Sequence, residues 1–169
     1  ESMSVSPSTF DCSNVGTVNT VTLTVTDGSG NSATGTAIVT VEDNVAPLAI
    51  AQNATVYIGA GGTVTITPST VNNGSSDACG ISSMSVSPNT FDCSELGDNV
   101  VTLTVTDVNG NFSTASSTVT VVDNTAPNVV TQNAIVYLDA NGSASVTAAQ
   151  VDGGTTDNCG LILSVTPHV

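Results

Sequence analysis

Fourteen carboxylates, no Lys and no Arg make up almost all the ionic chemistry of this 169-residue chain, and its one His, His168, stands next to the last residue. Two matching stretches draw attention to that chemistry: VEDNVAP at 41 to 47 and VVDNTAP at 121 to 127. Each ends an apolar run on acid, Asn and Ala-Pro. Asp43 and Asp123 have no cationic side chain to pair with, so they stay in water or are neutralised from outside. Hard cations prefer carboxylate and carbonyl oxygens, and calcium takes roughly six to eight of them. Further oxygen donors recur in step: Asp77 in SSDACG and Asp157 in TTDNCG, Asp27 in TVTDGSGN, and Asp107, Asn109 and Asn111 in TVTDVNGN. Calcium is therefore the expected cofactor. Catalysis is not expected, because Ser and Thr without a base cannot be activated as nucleophiles. A formal charge of -14 also argues against nucleic acid or an anionic membrane surface as a partner.

The segments that must position these residues repeat. SMSVSPSTFDCS at 2 to 13 returns as SMSVSPNTFDCS at 83 to 94, an offset of 81, and VTLTVTD at 21 to 27 returns at 101 to 107, an offset of 80. AQNATVYIGAGG at 51 to 62 returns as TQNAIVYLDANG at 131 to 142. The slip falls between GTVNT and GDNV, which reads as a loop tolerant of a deletion. Repeats of this length mark arrays of one structural unit. Residues 1 to 44 read as the later half of one module, 45 to 124 as a complete module, and 125 to 169 as the earlier part of a third. The chain thus reads as a fragment of an array that continues, since SVTPHV at 164 to 169 replays SVSPST at 4 to 9.

Each module reads as strands. In VTLTVT, Val101, Leu103 and Val105 fall on one face and Thr102, Thr104 and Thr106 on the other. Gly, Asn and Asp punctuate the runs, and no segment shows helical periodicity. The expected fold class is all-β: tandem immunoglobulin-like β-sandwich modules of about 80 residues, arranged end to end. A module this small has a thin core, so a staple would help. Among metal ligands, a redox pair and disulfides, the four Cys suit disulfides, because no CxxC motif and no His cluster accompanies them. Within the complete module the available pair is Cys79 with Cys93, leaving Cys12 and Cys159 for cysteines outside the chain. Bridges imply an oxidising, extracellular setting. No apolar run approaches the ~18 residues of a membrane span.

In a sandwich of this type, the loops after the second strand and before the last lie at the pole where the first strand begins. That brings Asp77, and Asp107 with Asn109 and Asn111, to the exit of the preceding module at Glu42, Asp43 and Asn44. Asp123, Asn124 and Asp157 meet at the next junction, while Asp27 would serve a linker upstream. Carboxylates gathered this way repel unless a cation sits among them. Pro47 and Pro127 fix φ and hold the entry of the following strand.

The DNxAP junction, the D-A/N-C-G turn, TVTDxxGN and the closing TVTV strand together resemble hyalin repeat (HYR-like) modules, over essentially the whole chain. SVSPxTFDCS with VTLTVTD is most similar to arrays in giant surface adhesins of Bacteroidota, gliding-motility adhesins included. The resemblance implies immunoglobulin-like units in tandem within long extracellular proteins. One departure is that typical hyalin repeats place the second Cys after GN, where this chain has Ala33-Thr34 and Thr114-Ala115. Asp43-Asn44 and Asp123-Asn124 with Ala-Pro also resemble the cadherin linker, where calcium stiffens successive domains. The expected function is a structural stalk or filament segment of a cell-surface adhesin. Its partners would be neighbouring repeats of the same chain and identical chains in a filament. The alternative is a β-sandwich module binding glycans or ice through Thr rows such as Thr22, Thr24 and Thr26. Sequons at Asn53, Asn73, Asn111 and Asn141 fit N-x-[ST] but arise easily by chance in such a chain.

Overall fold

The runs that alternate apolar residues with Thr or Ser become strands in the computed structural model, which describes residues 1–161. β1 (Ser2–Ser6), β2 (Asn19–Thr26) and β3 (Ser32–Val39) form an antiparallel sheet with Val5 opposite Leu23 and Met3 opposite Val25. The remaining strands are β4 (Ala54–Tyr57), β5 (Thr63–Thr65), β6 (Ile81–Ser87), β7 (Thr90–Asp92), β8 (Gly97–Asp107) and β9 (Phe112–Val122). Four of them form a sheet in the order β4-β9-β8-β6, with β4 parallel to β9, and β5 pairs with β7 antiparallel. The regular structure is all-β but for short 3-10 turns and two single-turn helices, α1 (Pro68–Val71) and α2 (Ala148–Val151). Both helices follow a Thr that forms a capping box, and four residues are fewer than two helical turns. Periodicity has no room to appear in them.

Backbone contacts divide the chain into two compact units. The first comprises Glu1–Ile50, Asn73–Ser85 and Thr104–Ala115; the second comprises Ala51–Asn72, Val86–Leu103 and the chain from Ser116 onward. The second holds most of the buried apolar side chains: Ile58, Ile66, Val71, Val86, Phe91, Val101, Leu103, Val119 and Val121. The first buries Val21 and Val105 but leaves Met3, Leu23 and Val25 exposed on its three-stranded sheet.

Local structure recurs with the sequence. Asp11 and Asp92 each cap a 3-10 turn, Cys12–Asn14 and Cys93–Glu95, by accepting from the backbone of Ser13 and Ser94. The one-residue slip is absorbed just before Asn19 and Asn99, whose amides both tie back to nearby carbonyls. Residues 15 to 18 lie outside regular strands there, whereas β8 already begins at Gly97. The expected match of SVTPHV, and His168 with it, lies outside the described residues.

Candidate metal centre

Three segments of the first unit bring three carboxylates together. Asp43, Asp77 and Asp107 each offer one oxygen, and these oxygens all lie within 4.8 Å of one another. Among the described residues they are the sole group of three or more such side chains.

Asp107 closes the β8–β9 hairpin, where its backbone N–H donates to the Asn111 carbonyl at 2.9 Å and Gly110 takes a φ of 95°. Its Oδ1 accepts from the backbone of Asn109 and Asn111, each at 2.8 Å, and its Oδ2 from the Asn111 amide at 2.8 Å. The side chain is 1% exposed. Burial pushes the Asp107 carboxyl up, but the Asn111 amide and three backbone N–H groups outweigh it and hold the group below the usual carboxylate range. Asp107 therefore stays ionised without a cation, by its own hydrogen bonds.

The same Asn111 amide reaches the next segment, donating to the Asp43 carbonyl at 3.0 Å. Ser113 donates its hydroxyl to the Pro47 carbonyl, which fastens the Ala-Pro linker to β9. Asp43 is half-buried and accepts from the Val45 backbone at 3.0 Å. Asp77 anchors the third segment, accepting from the backbone of Cys79 at 2.8 Å and Gly80 at 3.0 Å. That turn is tied to the hairpin by Val108 donating to the Gly80 carbonyl, and to the linker by the reciprocal Leu48 and Ser76 bonds. Each carboxylate is thus a turn residue, and the turns are fastened to one another.

Around Asp43 a shallow depression of about 290 Å³ is lined by Glu42, Asn44 and Asn109 among others. Glu42 and Asn44 are exposed, and the Asn44 amide donates to Glu42 at 3.4 Å. They rim the site without joining the three-carboxylate group. Asp27 repeats the Asp107 hairpin, accepting from Ser29, Asn31 and the Asn31 amide, but it is exposed and no group of three acids forms there. The Asn31 amide chiefly holds its carboxyl below the usual range, with the Asn31 and Ser29 backbones adding to the effect.

In the second unit, Asp123 and Asp157 are linked through a residue the sequence reasoning passed over. The Asn158 amide donates to Asp123 Oδ1 at 3.2 Å and to the Gly59 carbonyl at 3.4 Å. Asp157 Oδ1 accepts from the Cys159 backbone at 2.9 Å, as Asp77 does from Cys79. Asp157 Oδ2 and Asn158 Oδ1 are buried with no hydrogen-bond partner, which leaves two oxygen acceptors free at this turn. The signal was present in the sequence, because TTDNCG carries Asn where SSDACG carries Ala. Asn124 is exposed.

The disulfide expectation is overturned. Cys79 does not bond Cys93; Cys12 bonds Cys79 and Cys93 bonds Cys159, each with Cα atoms 5.2 Å apart. Nor do Cys12 and Cys159 wait for partners outside the chain. The reason is β6, whose seven extended residues separate Cys79 from the turn that leads to Cys93. A strand of that length spans about 23 Å, far beyond the ~7 Å limit for bridged Cα atoms. The two bridges follow one rule: each joins an FDCS cysteine to the D-x-C-G cysteine that follows it by 66 or 67 positions. Gly62 packs against the second, with a φ of 74° and only 3.0 Å between an added Cβ and the Asn158 carbonyl.

Fold and bridges define an all-β, disulfide-stapled chain suited to an oxidising, non-cytoplasmic setting. No helix among the described residues is long and apolar enough to cross a membrane. No protein-family model matches the chain, and no curated protein matches it either.

Proposed function

We propose that the chain is a structural stalk or filament segment of an extracellular repeat protein, a cell-surface adhesin built of HYR-like, immunoglobulin-like modules of about 80 residues. Calcium at Asp43, Asp77 and Asp107 stiffens the segment, and the disulfides staple it. Its partners are neighbouring repeats of the same chain and, in a filament, identical chains. A non-enzymatic role goes with a composition that has no Lys or Arg and a single His, next to the last residue.

One observation carries this reading. Three carboxylates from separate segments meet within 4.8 Å in a chain with no Lys or Arg to neutralise them. Oxygen donors without a competing ammonium or guanidinium suit a hard divalent cation. The two unpartnered oxygens of Asp157 and Asn158, at the turn that matches Asp77 in sequence, point the same way.

The test is thermal unfolding of the chain with calcium and with excess chelator. Calcium at about 100 times Kd adds roughly 2.7 kcal/mol. For a chain of this size that raises Tm by roughly 5 to 10 °C. Asp43→Asn and Asp77→Asn should each reduce the shift, and Thr104→Val should not. An unchanged Tm across all these conditions would leave the carboxylates as turn residues only.

A further inference from the structure

The two disulfides lie in series along the chain. Cys12–Cys79 closes one covalent loop and Cys93–Cys159 closes the next, and neither loop overlaps or encloses the other. A pull along the chain enters at Cys12, crosses directly to Cys79, follows the backbone to Cys93 and crosses to Cys159. Residues 13 to 78 and 94 to 158 hang from this path as covalent side loops, joined to it otherwise only through noncovalent contacts such as the β1–β2, β6–β8 and β5–β7 pairing.

We propose that the paired disulfides form a covalent path that bypasses both side loops and caps how far the chain can lengthen. The bypassed residues include Asp43, Asp77 and Asp107 together with β2, β3, β8 and β9, so none of these segments can add to the extended length while the bridges hold. Only the stretch from Cys79 to Cys93, which holds β6 and β7, lies in the direct path between the bridges. This inference depends on the order of the bridges and holds whether or not calcium binds or the chain belongs to an adhesin.

The effect on length is large. Cys79 and Cys93 stand 14 positions apart, and each bridge adds only 5.2 Å between Cα atoms. At ~3.5 Å per residue the path from Cys12 to Cys159 can extend to about 60 Å. Without bridges the same stretch, 147 positions long, reaches about 500 Å at that rise. Pairing of Cys79 with Cys93 would give a different value, since it would shorten the chain by only about 50 Å.

The full chain can be held by handles at residues 1 and 169 and stretched in an optical trap, with and without dithiothreitol. The oxidised chain should have a contour about 450 Å shorter than the reduced chain. Cys12→Ser should open one side loop alone and recover about 230 Å of that difference under oxidising conditions, and Cys159→Ser the same. Contour length is read on the extended chain, so a variant that folds poorly still reports. Equal contours before and after reduction, or a difference near 50 Å, would overturn the proposal.

Discussion

Asp107 and Asp27 occupy the same turn, TDxxGN, and make the same hydrogen bonds. They differ in burial, since Asp107 is 1% exposed and Asp27 lies in solvent. Both carboxyls are held below their usual range, so each contributes stability that is present above the unfolded pKa of about 3.9 and lost as pH falls through the folded value. Water screens the exposed turn, and the buried one depends fully on its internal donors. In excess chelator, which removes any metal effect, Asp107→Asn should lower Tm at neutral pH and flatten its fall below about pH 4. Asp27→Asn should change both less. Melting curves from about pH 2 to 7 measure this, and an acid slope unchanged by Asp107→Asn would contradict the role given to its hydrogen bonds.

β2 and β8 share the sequence VTLTVT but not its environment. Leu103 is 0% exposed in a unit that also buries Ile58, Ile66, Phe91 and Val101, whereas Leu23 is 43% exposed on a three-stranded sheet. Leu103→Ala should cost about 2–5 kcal/mol, the usual range for emptying a packed leucine site. Leu23→Ala should cost under about 1 kcal/mol, because much of that side chain is already in water. Urea denaturation of the two variants separates these values. Equal losses would mean that β2 is covered as fully as β8.

Across the whole molecule the bridges act on the unfolded chain as well as on its length. Each closes a loop of 66 or 67 positions, and in the chain-entropy account such a loop contributes about 4 kcal/mol. The double substitution Cys12→Ser/Cys79→Ser should therefore lower unfolding free energy by about 4 kcal/mol, read in guanidinium chloride. Cys79→Ser/Cys93→Ser should cost about twice that, because it breaks both bridges. With a Cys79–Cys93 bridge alone, the two double substitutions would cost the same, since each would break that one bridge. The absence of Lys and Arg means that trypsin cannot map the bridges, so an Asp-directed protease is needed.

What the sequence determined by itself is what depends on neighbours in the chain. Alternation in VTLTVT set the strand and its buried face, confirmed in Val101, Leu103 and Val105. Asp-x-x-Gly-Asn set the hairpin turn; grouping Asp43 with Asp77 and Asp107 took the expected loop placement of a sandwich as well, and their oxygens do meet. The single-turn helices were not legible, because four residues do not display a period. The pairing of the cysteines was decided by tertiary structure alone. Four cysteines allow three pairings, and nearness in sequence favours Cys79 with Cys93, but β6 is extended and carries those two apart. Tertiary packing likewise decided which copy of a shared motif is buried, so that Asp107 and Leu103 are enclosed while Asp27 and Leu23 face water. Burial and disulfide partners depend on distances between segments remote in the chain, and local sequence carries no measure of those distances.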